Sequence, residues 1–320
     1  MEINKDELGT QKYFNTPILF IVFNRPDCTQ KVFNVIKEMK PRYLFISADG
    51  PRTGHESDKE KCEQVKQIIE NGIDWDCEIK TLFRKENLGC GKAVSSAITW
   101  FFENIEQGII LEDDCLPDKS FFRFCEELLE KYKYDTKVSH ISGFNFMSKK
   151  ELANEASYFF SQYAAIWGWA SWRRAWKDYD FYITTWKLKS FKQKIYNRFS
   201  FFQMLSIRDS FDAMYNQKMD TWDFQWWYLC LVTDTVGVVP TVNLIQNIGF
   251  NTDATHTHEF NEEISILEAG EILFPLIHNN LKAVKQEYDN VMFCRFHKQK
   301  ASNIIKSIIK RALSLVGYNH

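Results

Sequence analysis

The sequence lacks the patterns that mark several classes of protein. No window of its 320 residues approaches 18 continuous apolar residues, so no transmembrane helix is predicted. The stretch Met1–Thr16 is polar and mixed in charge, without the apolar segment of a signal peptide. The eight cysteines show no Cys-x-x-Cys spacing and are typical of scattered thiols in a reducing compartment. These absences predict a cytoplasmic protein.

A strong charge of one sign and repeated sequence are also absent. The net charge is −2, and no long basic run accompanies an aromatic-rich sheet motif, so composition does not indicate nucleic-acid binding. There is no internal repeat and no low-complexity tract. Aromatic residues are abundant, with 27 Phe, 13 Tyr and 10 Trp. Most are expected to fill a large core, while some Trp and Tyr suit the walls of clefts.

The first 120 residues alternate between apolar strand-like runs and amphipathic helices. Strands are predicted at Ile18–Phe23, Tyr43–Ala48, Glu78–Phe83 and Ile109–Leu111. This alternation predicts an α/β fold with a mostly parallel sheet and right-handed crossovers. Later residues are less regular: helices are predicted over Phe121–Tyr132, Ile195–Met219 and Thr221–Leu231, and strands over Val138–Ile141, Val236–Val239 and Asn243–Ile248. The tryptophans of the run Ala165–Tyr179 recur at mixed helical intervals.

The most informative stretch is Gly108–Asp118. The apolar run Ile109–Leu111 ends abruptly in the three acids Glu112, Asp113 and Asp114. The carboxyl ends of strands are where open α/β sheets bind ligands. Three adjacent carboxylates repel one another unless a cation or solvent relieves them, and hard divalent cations often bridge such oxygens to substrate phosphates. Two interpretations remain open, a metal-diphosphate site and a solvated acidic turn.

Other polar residues follow the predicted strands or lie in nearby loops. Asn24-Arg25 and Asp49-Gly50 come at or just after the first two strands, where the ends of a doubly wound sheet converge. A planar guanidinium at Arg25 suits a diphosphate, and Asp49 suits a base or ribose. Arg84, Asn87 and Lys92 lie in a loop that would add positive charge nearby. Each alone is more typical of a turn or surface; their joint placement favours a nucleotide site.

Several of these motifs resemble a known family. Phe20–Arg25, Ser47–Gly50 and Leu111–Asp114 resemble the GT-A glycosyltransferases, and in particular the N-acetylglucosaminyltransferase I type with its Glu-Asp-Asp motif. The likeness continues, in the same order, through Asp118 with Phe121-Phe122, Ser142–Asn145, Trp167–Trp169, Trp222-Asp223 with Trp226, and Pro240–Phe250. It covers about residues 17–258. The segments Trp167–Arg173 and Asn247–Phe250 also resemble bacterial sugar-nucleotide transferases of surface-polysaccharide synthesis.

The resemblance implies a donor site. Asp114 would bind Mn²⁺ or Mg²⁺, and the metal would neutralise the diphosphate leaving group of a UDP-sugar, for example UDP-GlcNAc. The residues implied or expected to contact the nucleotide sugar are Phe23, Asn24, Arg25, Asp49, Arg84, Asn87, Lys92, Glu112 and Asp113. His256, in the polar stretch Asn251–His258, is a second candidate metal ligand. A surface loop carrying two histidines is the equally weighted alternative for that stretch.

The resemblance also implies a catalytic base and an acceptor side. Asp223 is the candidate base that takes the acceptor's hydroxyl proton in an inverting transfer. The family has two consecutive acids where this chain has one, so the register of the base is open by one residue. A helix N-cap is the structural alternative for Asp223. Asn145, Trp167 and Trp169 are the candidate contacts to a glycan or lipid-linked acceptor.

The expected organisation is a GT-A domain over residues 1–258, with a nucleotide half (17–118) and an acceptor half (119–258). Residues 259–320 are expected to form a helical extension ending in a basic amphipathic tail. That tail suits either the inner face of an anionic membrane or the protein's own surface.

Three other functions are weighed against a glycosyltransferase. A sugar-nucleotide pyrophosphorylase also pairs a parallel sheet with Mg²⁺, but the loop Phe23–Pro26 lacks the glycines expected of that class. A non-catalytic nucleotide or sugar binder of the same fold and a membrane-docked scaffold are the other two.

Overall fold

A computed structural model describes residues 13–147, 156–249, 267–279 and 281–295. In chain order the strands are β1 (Ile18–Val22), β2 (Tyr43–Ala48), β3 (Glu78–Phe83), β4 (Gln107–Glu112), β5 (Cys115–Pro117), β6 (Val138–Ser142), β7 (Tyr158–Ser161), β8 (Trp169–Trp172), β9 (Val236–Pro240) and β10 (Ile245–Asn247). The α-helices are α1 (Pro26–Met39), α2 (Glu56–Gly72), α3 (Cys90–Asn104), α4 (Ser120–Lys131), α5 (Arg173–Trp176), α6 (Lys189–Tyr196), α7 (Phe201–Tyr215) and α8 (Asp223–Val232). A 3₁₀ turn spans Thr184–Lys187, and residues 286–295 are also helical.

Eight strands form one sheet in the order β3-β2-β1-β4-β8-β6-β9-β7. β1 pairs in parallel with β2 and β4, β2 with β3, and β6 with β9. Only β8, between β4 and β6, and β7, beside β9, run antiparallel to their neighbours. This mostly parallel sheet, flanked by helices, confirms the predicted α/β fold class.

The first half forms as its sequence predicts. Every residue of β1 is buried, as are the Ile109–Leu111 positions of β4, because helices cover both faces of this part of the sheet. Helix α1 starts with Pro26, whose fixed φ suits the first helical position. Its C-cap is Lys40, which adopts a left-handed conformation at φ 47°. Because β1 pairs in parallel with both β2 and β4, the carboxyl ends of these three strands lie close together.

The second half departs from its sequence pattern in two places. Trp169–Trp172, in the run whose tryptophans recur at mixed helical intervals, is strand β8 in the interior of the sheet, and all four residues are buried in the core. The stretch Ile195–Met219 is not one helix but parts of two, α6 and α7. They separate before Ser200, whose side chain accepts the Gln203 N–H in a capping box that starts α7.

A two-stranded ribbon of β5 and β10 positions the chain beside the acidic triplet. The two strands pair antiparallel just after Asp114. The Ile248 N–H donates to the Asp114 carbonyl at 2.8 Å. A side chain at Gly249 would place its Cβ 2.5 Å from an Asp114 carboxylate oxygen, so this close approach needs glycine. Residues 250–266, which include His256, lie outside the described residues.

The C-terminal part packs on the edge of the sheet. Residues 267–279 form neither helix nor strand. The Ser157 N–H donates to the Ile277 carbonyl at 2.8 Å, and the Ile277 N–H donates to the Ser157 hydroxyl oxygen at 2.8 Å. Val284 forms a bridge with Phe160 of β7, next to helical residues 286–295. The predicted boundary at residue 258 and the amphipathic tail 301–320 fall outside the described ranges and stay predictions. Within those ranges, every helix is too short or too polar to cross a membrane.

Candidate active site

The carboxyl ends of β1, β2 and β4 bring three groups of predicted residues to one edge of the sheet. β1 is followed by Phe23, Asn24 and Arg25, β2 by Asp49, and β4 ends at Glu112 with two more acids after it. This edge is where parallel α/β sheets place their ligands.

Arg25 is bound to two of the three acids. Its Nη1 lies 2.6 Å from Asp114 Oδ2 and 3.3 Å from Asp113 Oδ1. The Phe23 N–H donates to the other oxygen of Asp113 at 3.2 Å, and Asp113 is only 6% exposed. The loop after β1 is therefore fastened to the turn after β4 by a charged hydrogen-bond network.

The acidic turn has three carboxyl groups, and Arg25 pairs with two of them. Burial, reinforced by the Asp114 and Asp113 charges, raises the pKa of Glu112 to about 8. Burial and the Asp114 charge likewise raise the pKa of Asp113 to about 7 against the lowering effect of Arg25. Carboxylate oxygens are the ligands that Mg²⁺ and Mn²⁺ prefer, and a bound cation would favour the ionised form of these carboxyls, so the residue types fit such an ion. Among the described residues, however, no group of three His, Cys, Asp or Glu side chains forms a ready metal site.

Asp223 lies in the second half of the chain, close enough to the acidic turn for its charge to affect Glu112. It is the first residue of α8, where its carboxylate accepts a hydrogen bond from the Thr221 hydroxyl. The Asp223 charge contributes to the raised pKa of Glu112. The N-cap position belongs to Trp222, so the N-cap interpretation of Asp223 is wrong, although an acid in the first turn still favours the helix.

Asp49 and Gly50, which follow β2, form hydrogen bonds with the loop that follows β3. Asp49 is buried, and its carboxylate accepts the N–H groups of Leu88 at 3.1 Å and Gly50 at 3.0 Å. Burial raises the Asp49 pKa despite these bonds. Asn87 Nδ2 donates to the Gly50 carbonyl at 2.8 Å. A Cβ at Gly50 would lie 2.5 Å from the Glu86 backbone, so glycine is required for this packing.

The two predicted cations of this loop differ in their surroundings. Arg84 is partly buried, and its guanidinium donates to the hydroxyls of Ser47 at 3.1 Å and Ser96 at 2.8 Å. Lys92 is exposed in the first turn of α3. Arg84 therefore mainly braces the loop against β2 and α3, whereas Lys92 has its side chain in solvent.

Sequence reasoning missed two residues beside this edge, Asp58 and Arg52. Asn24, which was predicted to contact the nucleotide, donates from Nδ2 to Asp58 Oδ1 at 2.7 Å. Its side chain therefore also has a structural role. Arg52 Nε donates to Asp58 Oδ2 at 2.6 Å, and its guanidinium carbon lies 5.6 Å from the centroid of the Phe23 ring. Arg52 holds the Asp58 pKa well below its usual range. The only sequence signal was an acid in the first turn of a polar helix.

The three predicted acceptor residues do not share one surface. Asn145 is 1% exposed, and its side chain donates to the Pro240 carbonyl at 2.9 Å and accepts the Met147 N–H at 2.8 Å. Trp169 is also 1% exposed and stacks on Trp222, with ring centroids 5.7 Å apart. Both therefore support the fold in this conformation.

Trp167 differs, since it is only partly buried and packs edge-on against Phe144, with centroids 4.5 Å apart. Of the three, Trp167 alone is partly exposed.

Comparisons with known proteins give distant similarities. No protein-family model and no curated protein matches the sequence. Mouse xyloside xylosyltransferase 1, in its apo form, is similar with a TM-score of 0.33 and 9% identity, over 67% of this chain and 81% of that one. A UDP-glucose pyrophosphorylase complexed with UDP-glucose is similar with a TM-score of 0.23 and 12% identity, over 46% of this chain and 62% of that one. Similarities with TM-scores this low do not support any inference about the activity of this protein.

Proposed function

We propose that this protein is a metal-dependent, inverting glycosyltransferase. It would move a sugar from a nucleotide diphosphate sugar, most consistently a UDP-sugar, to a glycan or lipid-linked acceptor in surface-polysaccharide synthesis. The observation that carries the proposal is the charged cluster at the carboxyl edge of the sheet, where Arg25 pairs with Asp113 and Asp114 and the charge of Asp223, from the second half of the chain, acts on the buried Glu112.

The donor side is assigned to the residues after β1, β2 and β4. Arg25 would pair with the diphosphate, and Asp114 would hold Mn²⁺ or Mg²⁺ with Glu112 and Asp113 close by. Bound there, the ion would act as a Lewis acid on the leaving diphosphate. Phe23, Asn24, Asp49, Arg84, Asn87 and Lys92 complete the proposed donor site, with several of them acting by holding its loops. His256 stays a proposed second metal ligand on sequence grounds.

The chemical step is assigned to Asp223. Its carboxylate takes the proton of the acceptor hydroxyl while that oxygen bonds to the anomeric carbon of the donor sugar. The bond from this carbon to the diphosphate oxygen breaks with its electron pair, and the nucleoside diphosphate leaves. Attack from the face opposite the leaving group inverts the anomeric centre. General-base assistance of this type contributes roughly 10²–10⁴-fold to rate.

The acceptor side is the less defined part of the proposal. Trp167 suits a sugar ring because aromatic faces pack on apolar sugar surfaces, whereas Asn145 and Trp169 would act by supporting the wall behind it. Action at the inner face of a membrane rests on the sequence of the basic tail alone.

The test is the Asp223→Asn variant, assayed for release of the nucleoside diphosphate with a UDP-sugar and acceptor. We expect kcat to fall by roughly 10²–10⁴-fold while the dissociation constant of the donor stays the same, because only the base is lost. Asp209→Asn, an exposed acid on α7, is the matched control and should keep full activity. Full kcat in Asp223→Asn would refute the assignment, and donor binding without turnover in the wild type would favour a non-catalytic binder.

A further inference from the structure

The carboxylate of Asp220 joins the two halves of the chain beside the candidate site. It accepts the backbone N–H of Cys90 at 3.0 Å and of Gly91 at 2.9 Å, both in the first turn of α3. Those N–H groups have no partner within the helix, and an acid there also favours the helix dipole. The bonds tie the segment that leads into α8 to the loop that follows β3.

Two glycines at the start of α3, the N-cap Gly89 and Gly91, allow this segment to approach closely. A Cβ at Gly91 would lie 2.7 Å from the Thr221 carbonyl oxygen and 2.8 Å from Asp220 Oδ1. A Cβ at Gly89, where φ is +80°, would lie 2.6 Å from Asp220 Oδ2. Any larger residue at either position would push the segment away, so the glycines and Asp220 form one contact.

The residues between Asp220 and Asp223 are held just as firmly. The Thr221 carbonyl accepts from Gln225 Nε2 at 2.7 Å, and the Thr221 hydroxyl donates to the Asp223 carboxylate. The Trp222 carbonyl accepts from the Tyr179 hydroxyl at 3.0 Å. From its anchor on α3, the segment therefore has little freedom before it reaches the Asp223 carboxylate.

We propose that Asp220 is a positioning residue for the catalytic base. By holding the start of α8 on the first turn of α3, Asp220 sets the distance of the Asp223 carboxylate from the donor-binding edge of the sheet. This inference rests on the proposed glycosyl transfer. It goes beyond that proposal because it gives a role to an acid outside the reacting groups and explains the glycines of the 87–92 loop.

The direct test is Asp220→Asn, which keeps the shape but turns an amide N–H₂ towards one of the two backbone N–H groups. We expect kcat to fall at least tenfold, with donor affinity within twofold of the wild type. Ser200→Ala, which removes the cap of α7 away from this contact, is the control for general loss of helix stability and should keep the wild-type kcat. Gly91→Ala displaces the same segment without changing charge and should give the same loss of kcat.

A double variant separates positioning from general damage. If Asp220 acts only through Asp223, then Asp220→Asn has little effect in an Asp223→Asn background, because the base that it positions is already gone. Wild-type kcat in Asp220→Asn, or an undiminished further loss in the double variant, would overturn the role of Asp220 alone. A wild type that turns over no nucleotide sugar would instead overturn the proposed function, and the positioning role with it.

Discussion

At the residue scale, the arrangement of Arg25 decides how the acidic turn can bind a cation. Arg25 and Asp114 are partly buried, with side chains 25% and 19% exposed, and their contact is a short charged hydrogen bond. A metal ion that takes the Asp114 oxygens must displace this guanidinium. A donor diphosphate would offer Arg25 a new anionic partner at the same moment, so metal and donor are expected to bind better together than separately.

Arg25→Ala should therefore raise the affinity for Mn²⁺ in the absence of donor. We expect a few-fold to roughly tenfold gain, equivalent to at most about 1.4 kcal/mol, because a competing cation leaves the carboxylates. The same variant should bind the UDP-sugar more weakly with Mn²⁺ present. Titration calorimetry measures both constants. Arg42→Ala, which removes a guanidinium lying over Tyr43 before β2, is the control, and weaker Mn²⁺ binding in Arg25→Ala would contradict this account.

The sequence pattern brought Arg25, Asp113 and Asp114 together because all three follow predicted strands, and the structure pairs Arg25 with both acids. Asp223 was selected from the family resemblance, and its catalytic role stays a prediction. The sequence could not show that the buried Asn145 side chain would hydrogen-bond to the backbone of a distant segment, since such bonds depend on packing rather than on local pattern.

At the element scale, the strands that could be predicted are those with a plain local signal. β1, β2 and β4 are runs of Ile, Leu, Val and Phe bounded by turn residues. Strand β8, Trp-Ala-Ser-Trp, is buried on both faces, so it lacks the alternation that marks a half-exposed strand. The break between α6 and α7 did have a signal, Ser200 followed by Gln203, the capping-box spacing.

The contact between β6 and β9 provides a test of packing in the sheet. His140 of β6 is 1% exposed, and burial lowers its pKa to about 3, so the ring is neutral. A Cβ at Gly237 of β9 would lie 2.2 Å from His140 Nε2. Gly237→Ala should therefore destabilise the protein by about 1–3 kcal/mol, the usual cost of overpacking a core, as measured by urea unfolding.

The double variant His140→Ala with Gly237→Ala gives the matched comparison. Removing the imidazole leaves room for the new methyl group, so the double variant should lose less stability than the sum of the two single variants. Simple additivity would mean that the backbone at position 237, rather than the ring of His140, sets the requirement for glycine.

At the scale of the whole molecule, the C-terminal residues protect an edge of the sheet. The Lys285 N–H donates to the Phe160 carbonyl at 2.8 Å, which covers part of edge strand β7. Asp289 is 1% exposed and accepts from the Ser161 hydroxyl at 2.6 Å and the Gln162 N–H at 3.3 Å. Burial raises the pKa of Asp289 to about 6.

This raised pKa predicts how stability depends on pH. The folded protein keeps the Asp289 proton to higher pH than the unfolded chain. The contribution of the protonated carboxyl to the free energy of unfolding is therefore fully present below the unfolded pKa near 4. The contribution is lost as pH rises through about 6. The free energy of unfolding of Asp289→Asn, taken relative to that of the wild type, should therefore increase from pH 4 to pH 7. The increase is at most about 3 kcal/mol, since each pKa unit is worth about 1.4 kcal/mol. Urea unfolding at several pH values measures the difference.

Asp58 is the control of opposite sign. Its pKa is lowered by the hydrogen bonds from Arg52, so its stabilising effect is present above the unfolded pKa and is lost at lower pH. Asp58→Asn should accordingly cost more stability at pH 7 than at pH 3. A pH-independent difference between Asp289→Asn and the wild type would show that Asp289 is not buried as described.

The central claim is that the acidic turn and the carboxyl edge of the sheet bind and activate a nucleotide sugar. The most direct measurement is release of the nucleoside diphosphate from a panel of UDP-, GDP-, CMP- and dTDP-sugars, with Mn²⁺ or with a chelator, in the wild type and in Asp114→Ala. The account predicts metal-dependent release of UDP from a UDP-sugar that Asp114→Ala loses. Release that ignores the chelator and the substitution, or no binding of any donor, would contradict it.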